Sequence, residues 1–490
     1  MNLAARALGA GAATKRRNVL FIAVDDLRPQ LGCYGHSRIK SPNIDKLASQ
    51  GLRFDRAYCQ QAVCAPTRAS LLTGTRPDTT RVYDLQTPLD TVRPDLVSIP
   101  HHFRKHGYET ISLGKVYHHA NEDPQGWSVA PWQVKGNQGN DYWRYRDPLS
   151  LIGVRQNDAV LRAAYERDLK SGKKVKPPLY GRGPAFEGPD VPDNAYPDGM
   201  TCDKAIDELR RLQDRPFFLA TGFLKPHLPF NAPKKYWDLY SPEDIELPTR
   251  NEWPENMPPL AGSDWGELRT YTGIPPKGPV SEGTMRMLIH GYYACVSFLD
   301  AQVGRVLGEL NRLGLQENTV VILWGDHGWK LGDYGAWCKH TNFELDTHVP
   351  MILSVPGQKH AGGATTALVE FVDIYPTLSQ ACGLGVPAQC EGKSMLPLMN
   401  NPQQTWKAAA FSQYPRGSIM GYTMRTDRWR YTEWISRQTG EVTARELYDH
   451  STSDVASANL ADLPEQAARV RELSAMLDEG RGWRKVREQM

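Results

Sequence analysis

The run Cys64-Ala-Pro-Thr-Arg68, continued by Ala-Ser-Leu-Leu-Thr-Gly74, carries the sharpest chemical signal in the chain. Pro66 predicts the start of a helix whose free amides and positive dipole end face the loop holding Cys64, a place suited to receive an anion. Arg68 adds a planar, permanently charged donor fork for oxyanions. Two other uses of cysteine fail on spacing. A thiol phosphatase loop needs Arg six positions after its Cys, and position 70 is Ser; a metal-binding Cys needs Cys or His companions close by, and Cys59 alone does not make a set.

Other polar groups recur just past apolar runs. Asp25-Asp26 follows Asn18–Val24, Lys115 and His118 follow Thr110–Leu113, His227 follows Phe217–Thr221, and Asp326-His327 follows Thr319–Trp324. One acidic pair can cap a helix and one His is usually a structural residue, but their repetition at the same end of successive strands predicts a common site. Three aspartates and an imidazole make an oxygen-rich set suited to Ca²⁺ or Mg²⁺ rather than to a thiolate-loving metal. Ligands for only one ion are evident, which argues against a two-metal phosphatase.

The elements that must position these groups read as an alternating α/β pattern. Asn18–Val24 is an unbroken apolar, β-branched run, the pattern of a strand buried on both faces of a parallel sheet. Ser41-Pro42 predicts an N-cap and first helical residue, with Ile44, Leu47 and Ala48 on one face and Gly51 as the stop. Met351–Val355 reads as a further strand, and Thr284–Leu313 as a long amphipathic helix. The fold expected is a large, mostly parallel sheet flanked by helices, with a smaller C-terminal α+β domain. The expected divisions are a tail or signal remnant over 1–17, a catalytic domain over 18–404 and an antiparallel sheet plus helix over 405–490. The stretch 123–198, rich in Gly, Pro and charge, reads as long loops around the sheet.

Composition narrows the function. A chain of 490 residues buries a large core, its hydrophobic share is 40% and its charged share 23%, as in ordinary soluble proteins. There is no apolar run long enough for a membrane span. A net charge of +3 with scattered basic residues makes nucleic acid a poor partner. Of the eight cysteines, Cys33, Cys202 and Cys295 read as small buried hydrophobes, and Cys382 and Cys390 are near enough in sequence to pair.

Taken together, these motifs resemble the formylglycine-dependent sulfatases of the alkaline phosphatase superfamily. The hallmark C-x-P-x-R with its Leu-Thr-Gly helix end is matched from Cys64 to Gly74. The likeness extends to Gly114-Lys115-x-x-His118, Lys225-Pro-His227, Gly325-Asp-His-Gly328, Lys339, Val372-Asp-Ile-Tyr-Pro-Thr and Glu446-Leu-Tyr-Asp449. It is strongest toward the iduronate-2-sulfatases and their bacterial relatives, through Val24-Asp-Asp-Leu-Arg-Pro29, Gln60-Gln-Ala-Val-Cys-Ala-Pro66 and Arg76-Pro-Asp-Thr-Thr-Arg-Val-Tyr83.

The resemblance implies that a maturing enzyme oxidises Cys64 to formylglycine, whose hydrate attacks sulfur and leaves a covalent sulfate hemiacetal that collapses when a base takes the second hydroxyl's proton. It implies Ca²⁺ held by Asp25, Asp26, Asp326, His327 and the modified Cys64. Arg68 and Lys115 would hold the hydrate and sulfate oxygens and His118 would be the base. His227 and Lys339 would bind sulfate, one of them protonating the leaving alcohol. Arg81 and Trp329 match positions that face the sugar, which points to a sulfated saccharide substrate, a 2-sulfated uronic acid first among them. A periplasmic or secreted enzyme is expected. Two alternatives remain: a phosphonate or phosphodiester hydrolase of the same superfamily, and a non-catalytic anion-binding protein with Cys64 unconverted.

Overall fold

The computed structural model describes residues 16–119, 122–134, 144–175 and 181–481. Most of the expected N-terminal tail lies outside the described residues. Strand β1 (Asn18–Val24) has all seven residues buried. It pairs in parallel with β4 (Phe217–Phe223) on one side and β5 (Thr319–Gly325) on the other. Because successive side chains face opposite ways, Leu20, Ile22 and Val24 join the core on one side of the sheet and Val19, Phe21 and Ala23 the core on the other. Among the described residues the sheet has eight strands; across it run Gly363–Thr365, β2 (Leu52–Tyr58), β6 (His348–Ser354), β5, β1, β4 and β3 (Glu109–Gly114), with Val369–Glu370 also pairing with β2.

The sheet is mostly parallel, as expected, with one exception. Strand β6, expected to continue the alternation, runs antiparallel to both β5 and β2. Its link from β5 holds only short pieces rather than a crossover helix on a sheet face, so the chain returns the way it came.

Helix α1 (Pro42–Gln50) buries Ile44, Leu47 and Ala48. Ser41 occupies the N-cap position without capping through its side chain. Asp300, in the middle of the long helix Glu282–Arg312, supplies that oxygen instead, accepting from the Asn43 and Ile44 amides at 3.0 and 2.7 Å. Helix α2 (Cys64–Thr73) begins two residues earlier than Pro66 suggested, with Val63 as N-cap and all ten residues buried. Gly74 ends it at φ 67°, returning its amide to Leu71 and Ser70.

The segment 123–198, expected as loops, contains a helix over Pro148–Lys170, capped by Asp147, which accepts from the Leu149 and Ser150 amides. Only Ser150 and Val154 of it are buried, so no apolar stripe marked it in the sequence. Cys382 and Cys390 are free thiols: Cys382 faces the Tyr108 hydroxyl and Cys390 lies near Gly74. No helix among the described residues is long and apolar enough to cross a membrane.

The C-terminal part forms a four-stranded antiparallel sheet from Ala410–Arg416, Ile419–Arg425, Trp429–Ser436 and Val442–Asp449, followed by the helix Ala467–Arg481. It is anchored by buried charge: Glu344, beside β6, accepts from Arg425 at 3.1 Å, Arg430 at 2.5 Å and the Tyr58 hydroxyl at 2.7 Å. Glu370 likewise meets Arg76 at 2.6 Å and Lys407 at 2.8 Å.

Candidate active site

The carboxyl ends of β1, β3, β4 and β5 deliver their polar residues to one place. Asp25 and Asp26 leave β1, and the Asp26 amide donates to Asp326 Oδ1 at 3.0 Å, tying the ends of β1 and β5 together. Lys115 leaves β3 through Gly114 (φ 67°), where a Cβ would lie 2.1 Å from the Gly222 carbonyl oxygen of β4. No other residue fits that approach.

Cys64 is the first residue of α2, and its Sγ lies 3.5 Å from Asp25 Oδ1 and 3.3 Å from His327 Nε2. Asp25, Asp26, Cys64 and His327 present ligand atoms within 4.8 Å of one another. Asp326 joins them through His327, its Oδ1 3.5 Å from Nε2. Burial, then Asp25, pushes the Cys64 thiol well above its ordinary range, so the unmodified residue is no thiolate nucleophile.

Three internal cations offset the carboxylates. Arg68 is fully buried, with Asp326 Oδ2 at 2.9 Å and Asp25 Oδ1 at 3.2 Å, and it also donates to the Lys115 and Val116 carbonyls. Its guanidinium, expected to hold substrate oxygens, is thus engaged in organising the aspartates. Lys115 Nζ meets Asp25 Oδ2 at 2.5 Å and Lys339 Nζ meets Asp26 Oδ1 at 3.0 Å. Burial works to raise the Asp25 pKa, but Lys115, His227 and Arg68 hold it well below the usual carboxylate range. Asp26 is less well compensated, and burial pushes it up to about 7. A buried acidic set that its own cations leave short of positive charge fits a divalent, oxygen-seeking ion.

His118 sits at the side of Lys115 in a cavity of about 190 Å³ that Gln133 and Arg144 also line. Burial, then Lys115 and His119, lowers its pKa to about 2, so the ring is neutral and, with Lys115 beside it, only weakly basic. His227 lies by Asp26, its Nδ1 2.6 Å from the Leu228 carbonyl oxygen and its Nε2 3.9 Å from Asp26 Oδ2.

Two sugar-facing expectations fare differently. Trp329 is fully buried, packed against Phe230 at 6.4 Å with Lys339 Nζ 4.7 Å above its ring. It supports Lys339 rather than offering an open face to a sugar. Arg81 is exposed at the end of the short helix Pro77–Thr80 and makes none of the contacts that join the cluster. One residue escaped the sequence reading: Glu267, 3.0 Å from His227 Nε2 and 2.8 Å from Lys339 Nζ. It belongs to a four-residue helix after Trp265, and no periodicity or motif singled it out.

A parallel sheet gathering aspartates, a helix-borne cysteine, lysines and histidines at its carboxyl edge defines a hydrolase of oxyanion esters. The chain belongs to the sulfatase family, whose model matches residues 17–384, and a second model, N-sulphoglucosamine sulphohydrolase C-terminal, matches residues 332–482. It is a sulfuric ester hydrolase. It is 35% identical over 512 residues to iduronate 2-sulfatase of Homo sapiens, covering 89% of this chain and 88% of that protein. By fold it is similar to a protein solved in complex with its substrate D-glucosamine-2-N,6-O-disulfate, with a TM-score of 0.75, 22% identity, and 97% and 99% of the two chains covered. A phosphonate monoester hydrolase of Agrobacterium radiobacter shares the fold at a TM-score of 0.73 and 23% identity, with 96% of each chain covered.

Proposed function

We propose that the protein removes sulfate from a sulfated saccharide, with a 2-sulfated uronic acid as the leading substrate, and that Cys64 acts as formylglycine. The observation that carries this is the placing of Cys64 Sγ within 3.5 Å of both Asp25 and His327, as a protonated thiol unfit for attack yet in position for the reacting group. The formylglycine hydrate would supply an oxygen nucleophile. Asp25, Asp26, Asp326 and His327, with residue 64, would hold Ca²⁺, which would supply a fixed positive charge for sulfate oxygens.

The chain's own residues account for the rest. Lys115 shields Asp25 and presents charge to the sulfate, while Arg68 pairs with both Asp25 and Asp326 and so fixes their spacing. His118, which lines a cavity with Lys115, is the candidate base, provided a bound sulfate offsets the Lys115 charge that opposes its protonation. His227 and Lys339 stand together by Asp26 and would face the departing alcohol. The uronate preference is supported by the similarity to iduronate 2-sulfatase, and the exposed Arg81 is the remaining candidate to meet the carboxylate. We also infer dependence on a maturing enzyme, and work in the periplasm or outside the cell, where calcium and polymeric glycans are met.

The test combines peptide mass spectrometry of residue 64 with kinetics on a 2-sulfated uronate disaccharide and its carboxyl-reduced analogue. An aldehyde at residue 64 and faster cleavage of the uronate are expected. An active enzyme carrying only thiol sinks the mechanism, and preference for the reduced sugar sinks the uronate while leaving sulfatase activity intact.

A further inference from the structure

A carboxylate is out of place against groups that would receive a sulfate ester, yet Glu267 contacts two of them. Its Oε1 is 3.0 Å from His227 Nε2 and its Oε2 2.8 Å from Lys339 Nζ. Each partner has other contacts, but none that spans the two. His227 Nδ1 faces the Leu228 carbonyl oxygen and Nε2 the Glu267 carboxylate, both of which can only accept, so the two contacts together need the doubly protonated ring, which Glu267 favours against the burial that lowers its pKa. Lys339 has three N–H donors: Asp26 takes one, Glu267 a second, and the Trp329 ring lies beneath the ammonium. Removing Glu267 would leave the imidazole held only at Nδ1 and the ammonium held by Asp26 alone, with nothing tying one to the other. Burial works to raise the Glu267 pKa, but Lys339 and then His227 hold it well below the usual range, so the strap is charged.

We infer that Glu267 is the positioning residue of the leaving-group side, a single carboxylate that locks the His227 ring and the Lys339 ammonium over the sugar oxygen from which sulfate departs. The inference rests on the leaving-side reading of those two residues. In the step concerned the S–O bond to the sugar breaks, its electron pair stays on the sugar oxygen, and that oxygen takes a proton from His227 or Lys339. The sulfuryl group passes to the hydrate oxygen at residue 64, whose O–H bond breaks as the S–O bond forms, its proton going to a base of the site or to water. A proton donor matters most when the departing alcohol is a poor leaving group and little when it is a stable phenolate.

The experiment compares wild-type protein with Glu267→Ala and Glu267→Asp on two esters, a sugar sulfate and 4-nitrophenyl sulfate, with calcium binding measured by calorimetry on chelated protein and folding checked by thermal melting. The expected result for Glu267→Ala is a fall in kcat of about 10²-fold or more on the sugar sulfate but within about tenfold on the aryl sulfate. Glu267→Asp should recover part of the sugar activity, and calcium affinity should hold. Equal losses on both esters, or a collapse of calcium binding showing Glu267 to be a ligand with Asp26 and His227, would overturn the assignment. Wild-type protein inert toward both esters is a different result, because it removes the sulfatase chemistry itself.

Discussion

At the scale of single residues, the site contrasts groups that react with groups that hold. Cys64→Ala should lower turnover by about 10³-fold or more while leaving the melting temperature within a few degrees, because it deletes one small atom at a helix start. Trp329→Ala is expected to do the opposite of a substrate contact: removing a fully buried indole costs about 3–5 kcal/mol of stability, read in denaturant titration, and loosens Lys339 besides. Unchanged stability with a raised KM would return Trp329 to the sugar. The reactive residues were legible because their types and spacing at strand ends are chemically unusual. Glu267 was not, since its role comes from a short loop helix meeting two distant side chains, and Trp329 misled because a matched motif position fixes a residue's neighbours but not which face of it stays open.

At the scale of elements, apolar runs gave away β1, β3, β4 and β5, whose burial is complete or nearly so, and the stripe on Glu282–Arg312 gave away the long helix. The helix Pro148–Lys170 escaped because it has almost no buried face, and the direction of β6 escaped because direction depends on the route of the connection rather than on the strand's own residues. The last strand of the small sheet carries a pH-sensitive group. Glu446 accepts from the Trp434 indole at 2.7 Å and from the Tyr448 hydroxyl, and burial pushes its pKa up to about 7. A carboxyl whose folded pKa is raised contributes stability that is full below its unfolded pKa and is lost as pH rises through the folded value. Between about pH 4.5 and 7 the native protein should therefore lose up to about 3 kcal/mol from this group. Glu446→Gln should flatten the melting temperature across that window and melt higher than the native protein at pH 8. An equal slope in both proteins would assign the pH dependence elsewhere.

At the scale of the whole molecule, the two sheets are joined by buried ion pairs and the site by its own cations, so the architecture does not wait for a metal to assemble. Chelation should abolish activity and lower the melting temperature, and Ca²⁺ should restore both, with the thermal gain set by the ratio of free ion to Kd. Full activity in metal-free protein would refute the ion. The burial of α2 also imposes an order of events. Cys64 is 2% exposed, and every residue of the helix it opens is buried. A modifying enzyme of ordinary size cannot seat on a sulfur buried at the start of α2 in the folded chain. If Cys64 is oxidised, the oxidation belongs to the life of the chain before folding, and the finished molecule keeps in its core a record of which machinery it met while still open.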